Sequence, residues 1–148
     1  MFNLTNLLEN GDKIDSAKQL ERMSELGPEY RMVEPWLEEV GYGDIDKLVA
    51  QIGIGKPAIK VRATKDVRQF VALIVGLMMI NAGHIEVDSE REVIQVIGVR
   101  SWIEQFAEAG SEDEVLGSLG IKKHGLYARG RKSLIQLIAT VYGFKYVD

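Results

Sequence analysis

The chain has 148 residues, a net charge of −4, a mean hydropathy of −0.04 and no cysteine. That length can bury roughly two-thirds of the unfolded chain's surface in one core, and the missing thiols exclude disulfides, thiolate zinc sites and cysteine nucleophiles. The N-terminal MFNLTNLLENGDK lacks the basic start and long apolar core of a secretory signal, so a cytoplasmic protein is expected.

A first helix is predicted from about Lys13 to Leu26, with Asp12 as its N-cap and Ile14, Ala17, Leu20, Met23 and Leu26 on one stripe, stopped by Gly27 and Pro28. A second begins near Glu34 or Pro35, carries Trp36, Leu37 and Val40, and breaks at Gly41 and Gly43. Asp44 caps a third that runs to Ile52, where Gly53 suits a left-handed stop and Ile54 can fold back on Val49 as in a Schellman motif. The stretch IGKPAIKVRA then reads as a loop leading to Thr64, the N-cap of a central helix that ends at Asn81 to Gly83. Phe70 to Ile80 is unbroken apolar sequence, but eleven residues fall short of the ~20 a bilayer span needs, so it reads as a core helix and no membrane association is expected.

Beyond Gly83, Ile85 to Val87 and Val93 to Val99 allow a strand reading. Ser89 with Glu92 as a capping box, and the helical spacing of Val93, Val96, Val99, Ile103 and Phe106, favour one long helix from Ser89 to Ala109 with Gly98 as its weak point. A second capping box, Ser111 with Glu114, opens a helix to Leu119, closed by Gly120 and Ile121. A last apolar helix spans Leu134 to Phe144. The expected fold is all-α, one compact domain over residues 1–148 with six to seven helices.

Sliding the chain on itself by 67 residues aligns Asp46 to Leu77 with Asp113 to Phe144 without a gap, and nine of 32 positions are identical where composition alone gives about two. The identities include Gly53/Gly120, Lys56/Lys123, Arg62/Arg129, Lys65/Lys132, Gln69/Gln136, Ala72/Ala139 and Gly76/Gly143. With a one-residue adjustment Trp36 pairs with Trp102, and these are the only tryptophans. The reading is a tandem duplication, with copies at about 33–77 and 99–144: an N-terminal helical arm over 1–32, a first repeat over 33–83 and a second over 84–148. The central helix is the longer member of its pair, and its added turn, Leu77 to Ile80, is expected to pack on the N-terminal helix or on another subunit.

Charge is segregated. Lys56, Lys60, Arg62, Lys65, Arg68, Lys122, Lys123, Arg129, Arg131 and Lys132 lie in two short segments with one acid, Asp66, giving +9, while the remainder has eight cations against 21 acids, or −13. These ten residues are the candidate site for a polyanion or a protein partner. The two histidines, His84 and His124, stand apart, no hydrolase, kinase or metal spacing occurs, and the acids cluster in first helical turns, where they complement the helix dipole. No enzyme, cofactor or metal site is expected. The first functional expectation is a structural, scaffold or adaptor subunit that self-associates as a homo-oligomer, or binds a protein partner, through basic loops and acidic helices. The alternative is a nucleic-acid binder whose two loops grip phosphates.

The stretch LVAQIGIGKPAIKV, Leu48 to Val61, resembles the helix-hairpin-helix turn, a DNA-backbone binder. The resemblance implies that Gly53, Gly55 and Lys56 meet phosphates. It covers about a tenth of the chain and departs from the pattern where Ile52 abuts Gly53, and where the second copy has Ile121 and Lys122 in place of the second glycine.

Overall fold

The computed structural model describes residues 1–27 and 33–148. Among these the fold is all-helical, with eleven helices and no strand: α1 (Leu4–Asn10), α2 (Ser16–Leu26), α3 (Val33–Glu39), α4 (Ile45–Ile52), α5 (Lys56–Lys65), α6 (Val67–Asn81), α7 (Val87–Ile97), α8 (Val99–Gln105), α9 (Glu112–Leu119), α10 (Lys123–Lys132) and α11 (Leu134–Phe144). None is long and apolar enough to cross a membrane.

The count exceeds the expected six to seven for identifiable reasons. Both basic loops are helices. In α5, Pro57 occupies the first turn and Ile59 and Ala63, one turn apart, are buried, so a stretch that reads as charged loop has an inward stripe. Thr64 caps nothing and donates its hydroxyl back to the carbonyls of Lys60 and Val61. The single helix expected over Ser89–Ala109 is two, because Gly98 takes φ 87°: its N–H bonds to the Ile94 carbonyl to close α7, while its own carbonyl receives the Trp102 N–H to open α8. Helix α7 starts at Val87, ahead of the Ser89 capping box, with Glu86 in the N-cap position, and the stretch Val93 to Val99 is not a strand. Asp15 rather than Asp12 caps α2, accepting the Lys18 N–H at 3.2 Å, since Ile14 is drawn into a parallel bridge with Val147. Helix α1, capped by Asn3, carries too short a pattern to have been read. Pro28 lies outside the described residues.

Other boundaries fall as the caps dictate. Asp44 accepts the Lys47 N–H at 2.8 Å, and Ser111 the Glu114 N–H at 3.1 Å. Gly53 and Gly120 take φ 71° and 67°. Gly120 closes a full Schellman pair, to the Gly117 and Leu116 carbonyls with Ile121 making the second bond, whereas Gly53 makes the simpler single bond to Val49.

Helices α6 and α11 form the centre. Every residue of α6 from Gln69 to Leu77 is buried, as is every residue of α11 from Gln136 to Val141. Their N-terminal ends share one cleft, lined by Gln69, Phe70 and Leu73 from one and Gln136 and Thr140 from the other. They cross at small residues, Ala72-x-x-x-Gly76 against Ala139-x-x-x-Gly143. A Cβ on Gly76 would lie 1.8 Å from the Ala139 carbonyl oxygen, and one on Gly143 would lie 1.8 Å from that of Ala72. The backbones therefore touch with nothing between them.

Around this pair the helix bounds recur. Shifting α4 and α5 by 67 residues gives the bounds of α9 and α10, and shifting α3 by 66 gives those of α8. The correspondence reaches further upstream than the sequence reading placed it: α2 shifted by 71 gives α7, and Gln19 and Glu90, at the same place in each, accept the Trp36 and Trp102 indole N–H at 3.0 and 2.6 Å. At the end of α6, Met78 lines clefts with Leu4 of α1. The N-terminal segment is tied to the last residues through Ile14, whose N–H donates to the Tyr146 carbonyl at 2.7 Å and whose carbonyl accepts the Asp148 N–H at 2.8 Å.

Gly76→Ala and Gly143→Ala should each cost about 3 kcal/mol in denaturant unfolding, because the added methyl meets backbone that no rotamer change can move. Gly117 in α9 faces open space, and Gly117→Ala should instead gain ~0.5–1 kcal/mol.

Candidate functional site

The ten predicted cations do not form one surface. At the N-terminal ends of α5 and α10 they are matched by the chain's own acids: Lys56 pairs with Asp46 at 3.0 Å, Lys60 with Glu34 at 3.3 Å and Lys123 with Glu112 at 3.6 Å. Lys122 is exposed at the N-cap position of α10. Arg68, on α6, points inward, donating to the Ser118 carbonyl at 2.5 Å and the Val147 carbonyl at 3.3 Å.

At the C-terminal ends of α5 and α10 a second group converges on the α6–α11 crossing. Arg62 of α5 donates from Nη1 to Oε1 of Gln136 on α11 at 2.6 Å, and Arg129 of α10 donates from Nη1 to Oε1 of Gln69 on α6, also at 2.6 Å. The contacts are reciprocal: the arginine of α5 reaches α11, and that of α10 reaches α6. The Gln69 amide also donates to the Leu119 carbonyl at 2.9 Å. Burial holds both arginines below their ordinary pKa; the Arg129 charge lowers Arg62 further, and Asp66 partly offsets the effect on each. Lys65 and Lys132, one turn beyond, are exposed and next to Arg62 and Arg129 on their helix surfaces. The result is a basic pole of four equivalent cations and one carboxylate.

Arg131 faces elsewhere. It borders an apolar groove of about 240 Å³ formed by Ile94 and Val99 from one side and Tyr127, Leu134 and Leu137 from the other. The corresponding place in the first half is filled: Met23, Val33 and Ala63 are fully buried and Phe70 is 2% exposed. Two of the aligned lining positions carry smaller side chains here, Leu137 against Phe70 and Gly130 against Ala63. Helix α7 beside it buries no residue, and Val96 is 84% exposed. Sequence reasoning missed this groove because it matched apolar positions in kind and not in volume. The Phe/Leu and Ala/Gly differences at aligned positions were the available signal.

Two carboxylates accept interior hydroxyl and indole donors. Glu90 takes the Tyr142 hydroxyl as well as the Trp102 indole, both at 2.6 Å, and Glu112, 4% exposed, takes the Tyr127 hydroxyl at 2.6 Å. His84 and His124 are both exposed, and no group of three potential metal ligands occurs among the described residues. Comparison with protein-family models, with curated proteins and with solved structures finds no match to this chain.

A double-mutant cycle on Arg129 and Gln69, each to Ala, should give a coupling of about 1.5–3 kcal/mol, as for a hydrogen bond to a charged group. The Arg62 and Gln136 cycle should give the same value within about 0.5 kcal/mol, measured by urea unfolding.

Proposed function

We propose that this protein is a non-enzymatic interaction and assembly protein that self-associates through α7 and the groove beside it, in a homo-oligomer of closed symmetry. The observation that carries this reading is the open apolar groove of Ile94, Val99, Leu134 and Leu137, next to an amphipathic helix whose apolar residues Val87, Val93 and Ile94 are only partly buried. Apolar side chains gathered in one patch, unlike scattered ones, gain by excluding water with a partner. A second copy suits the patch because it holds both parts of a match: Val96 is a projecting knob on α7, and the groove that Ile94 of the same helix lines is a hole. Glu92, one turn before Val96, can meet Arg131 at the mouth of the other copy's groove. This differs from association by basic loops and acidic helices, since Lys56, Lys60 and Lys123 already hold acids of their own chain. The same reading takes the halves, α2–α6 and α7–α11, as products of a tandem duplication in which the second half has opened its core to a partner.

Sedimentation velocity tests it. The wild type should dimerise with rising concentration, and Val96→Glu should remain monomeric at unchanged stability, since the residue is 84% exposed. A wild type that stays monomeric at several hundred micromolar would overturn the proposal.

A second reading, nucleic-acid binding, is favoured by one observation: α4–α5 and α9–α10 are both helix, short turn, helix units, the shape the resemblance over Leu48–Val61 implies, and they sit in equivalent places in the two halves. It predicts that Lys65→Glu with Lys132→Glu abolishes a mobility shift on duplex DNA, and that the binding constant falls steeply with salt. No shift of the wild type at low salt dismisses it.

A further inference from the structure

The geometry points to a binding site for one oxyanion, a phosphate or carboxylate group, between Arg62 and Arg129 in the cleft where α6 and α11 begin. The site depends on neither reading above. The two guanidinium groups line the same narrow cleft, together with Asp66, Gln69, Gln136 and Thr140. Each arginine uses Nη1 on a glutamine across the α6–α11 crossing, and among the described residues neither has a carboxylate within ion-pair distance. Two like charges are thus held together, half-buried, with Asp66 near enough to moderate them and too far to bond. The local sum is one positive charge in a place where water screens poorly.

An independent observation comes from Gln136. It is 2% exposed, its Oε1 is occupied by Arg62, and its Nε2 has no hydrogen-bond partner. Its counterpart Gln69 spends the same amide on the Leu119 carbonyl. Only two buried side-chain donors among the described residues lack a partner, this one and Arg68 Nε, and such an orphaned donor marks a place where an acceptor belongs. The enclosed space is about 10 Å³, room for one water-sized species, so a single oxygen of the anion enters while the rest stays at the mouth. Arginine's planar fork suits such an oxygen better than lysine's point charge. Thr140 supplies a hydroxyl that can donate, and Asp66 at the rim limits affinity.

Isothermal titration with sodium phosphate, sodium acetate and a dinucleotide phosphodiester in HEPES at pH 7 tests the site. One-to-one binding of phosphate is expected in the wild type. Asp66→Asn should tighten it by about five- to ten-fold, because removing one nearby charge at intermediate dielectric is worth roughly that much. Asp66 makes no side-chain capping bond to α6, so this variant should fold. Arg129→Gln should weaken binding at least ten-fold, with its fold checked by circular dichroism. If that variant does not fold, Asp66→Asn decides alone. Phosphate above acetate assigns the site to phosphate, and the dinucleotide at equal strength extends it to phosphodiesters. No saturable heat with any of the three, in the wild type and Asp66→Asn alike, or equal affinity in both, overturns the site.

Discussion

Two carbonyl oxygens set the geometry of this protein, those of Ala72 and Ala139, because each lies where a side chain on the facing helix would otherwise begin. Only glycine at 76 and 143 lets α6 and α11 approach until backbone meets backbone. That closeness is what allows Arg62 and Arg129 to span from one half to the glutamine of the other at 2.6 Å. It also brings the N-terminal ends of both central helices into one cleft, so the basic pole is a consequence of the crossing. The outer helices follow: α5 lies against α6, α10 against α11, and each tryptophan helix is pinned by an acceptor on the helix before it.

The halves share a plan and differ in filling. In the first, Phe70 packs on Trp36 with ring centroids 5.7 Å apart, Phe2 covers the indole from another side at 5.8 Å, and Met23 closes the space beside them. In the second, Trp102 meets Tyr142 at 5.9 Å, and Leu137 and Gly130 leave a groove that α7 borders without burying any of its own residues. The apolar lining makes an open groove of that size costly in water. The proposed self-association draws its support from this asymmetry more than from the charge segregation seen in the composition. Of the chain's cations, Arg62, Arg68, Arg129 and Lys145 turn inward to amides and carbonyls, and Lys56, Lys60 and Lys123 hold acids of the same chain.

Much of this was legible in the residues. Caps with explicit chemistry, Asp44, Ser111, Gly53 and Gly120, fell where their side chains or left-handed backbone require. The aligned positions Arg62/Arg129, Gln69/Gln136 and Gly76/Gly143 proved to be contact partners across the crossing, which a one-dimensional alignment marks without saying who touches whom. The failures have a common source. Helices α5 and α10 have weak amphipathic patterns dense in charge, and their helicity is enforced by tertiary burial of Ile59, Ala63 and Leu126, which local pattern does not announce. Gly98 was visible as a weak point, but its positive φ, which makes one helix into two, depends on docking Trp102 against Glu90 and Tyr142. The basic residues stand out as a set, but net charge by segment does not say that Arg62, Arg68 and Arg129 face in while Lys65, Lys122 and Lys132 face out.

The account rests on the glycine crossing, and nuclear Overhauser spectroscopy of the labelled protein observes it directly. It predicts paired cross-peaks, from Gly76 Hα to Ala139 and from Gly143 Hα to Ala72, of comparable strength. Loss of either member of the pair in a folded sample, or strong contacts from Gly76 to residues outside α11, would contradict it.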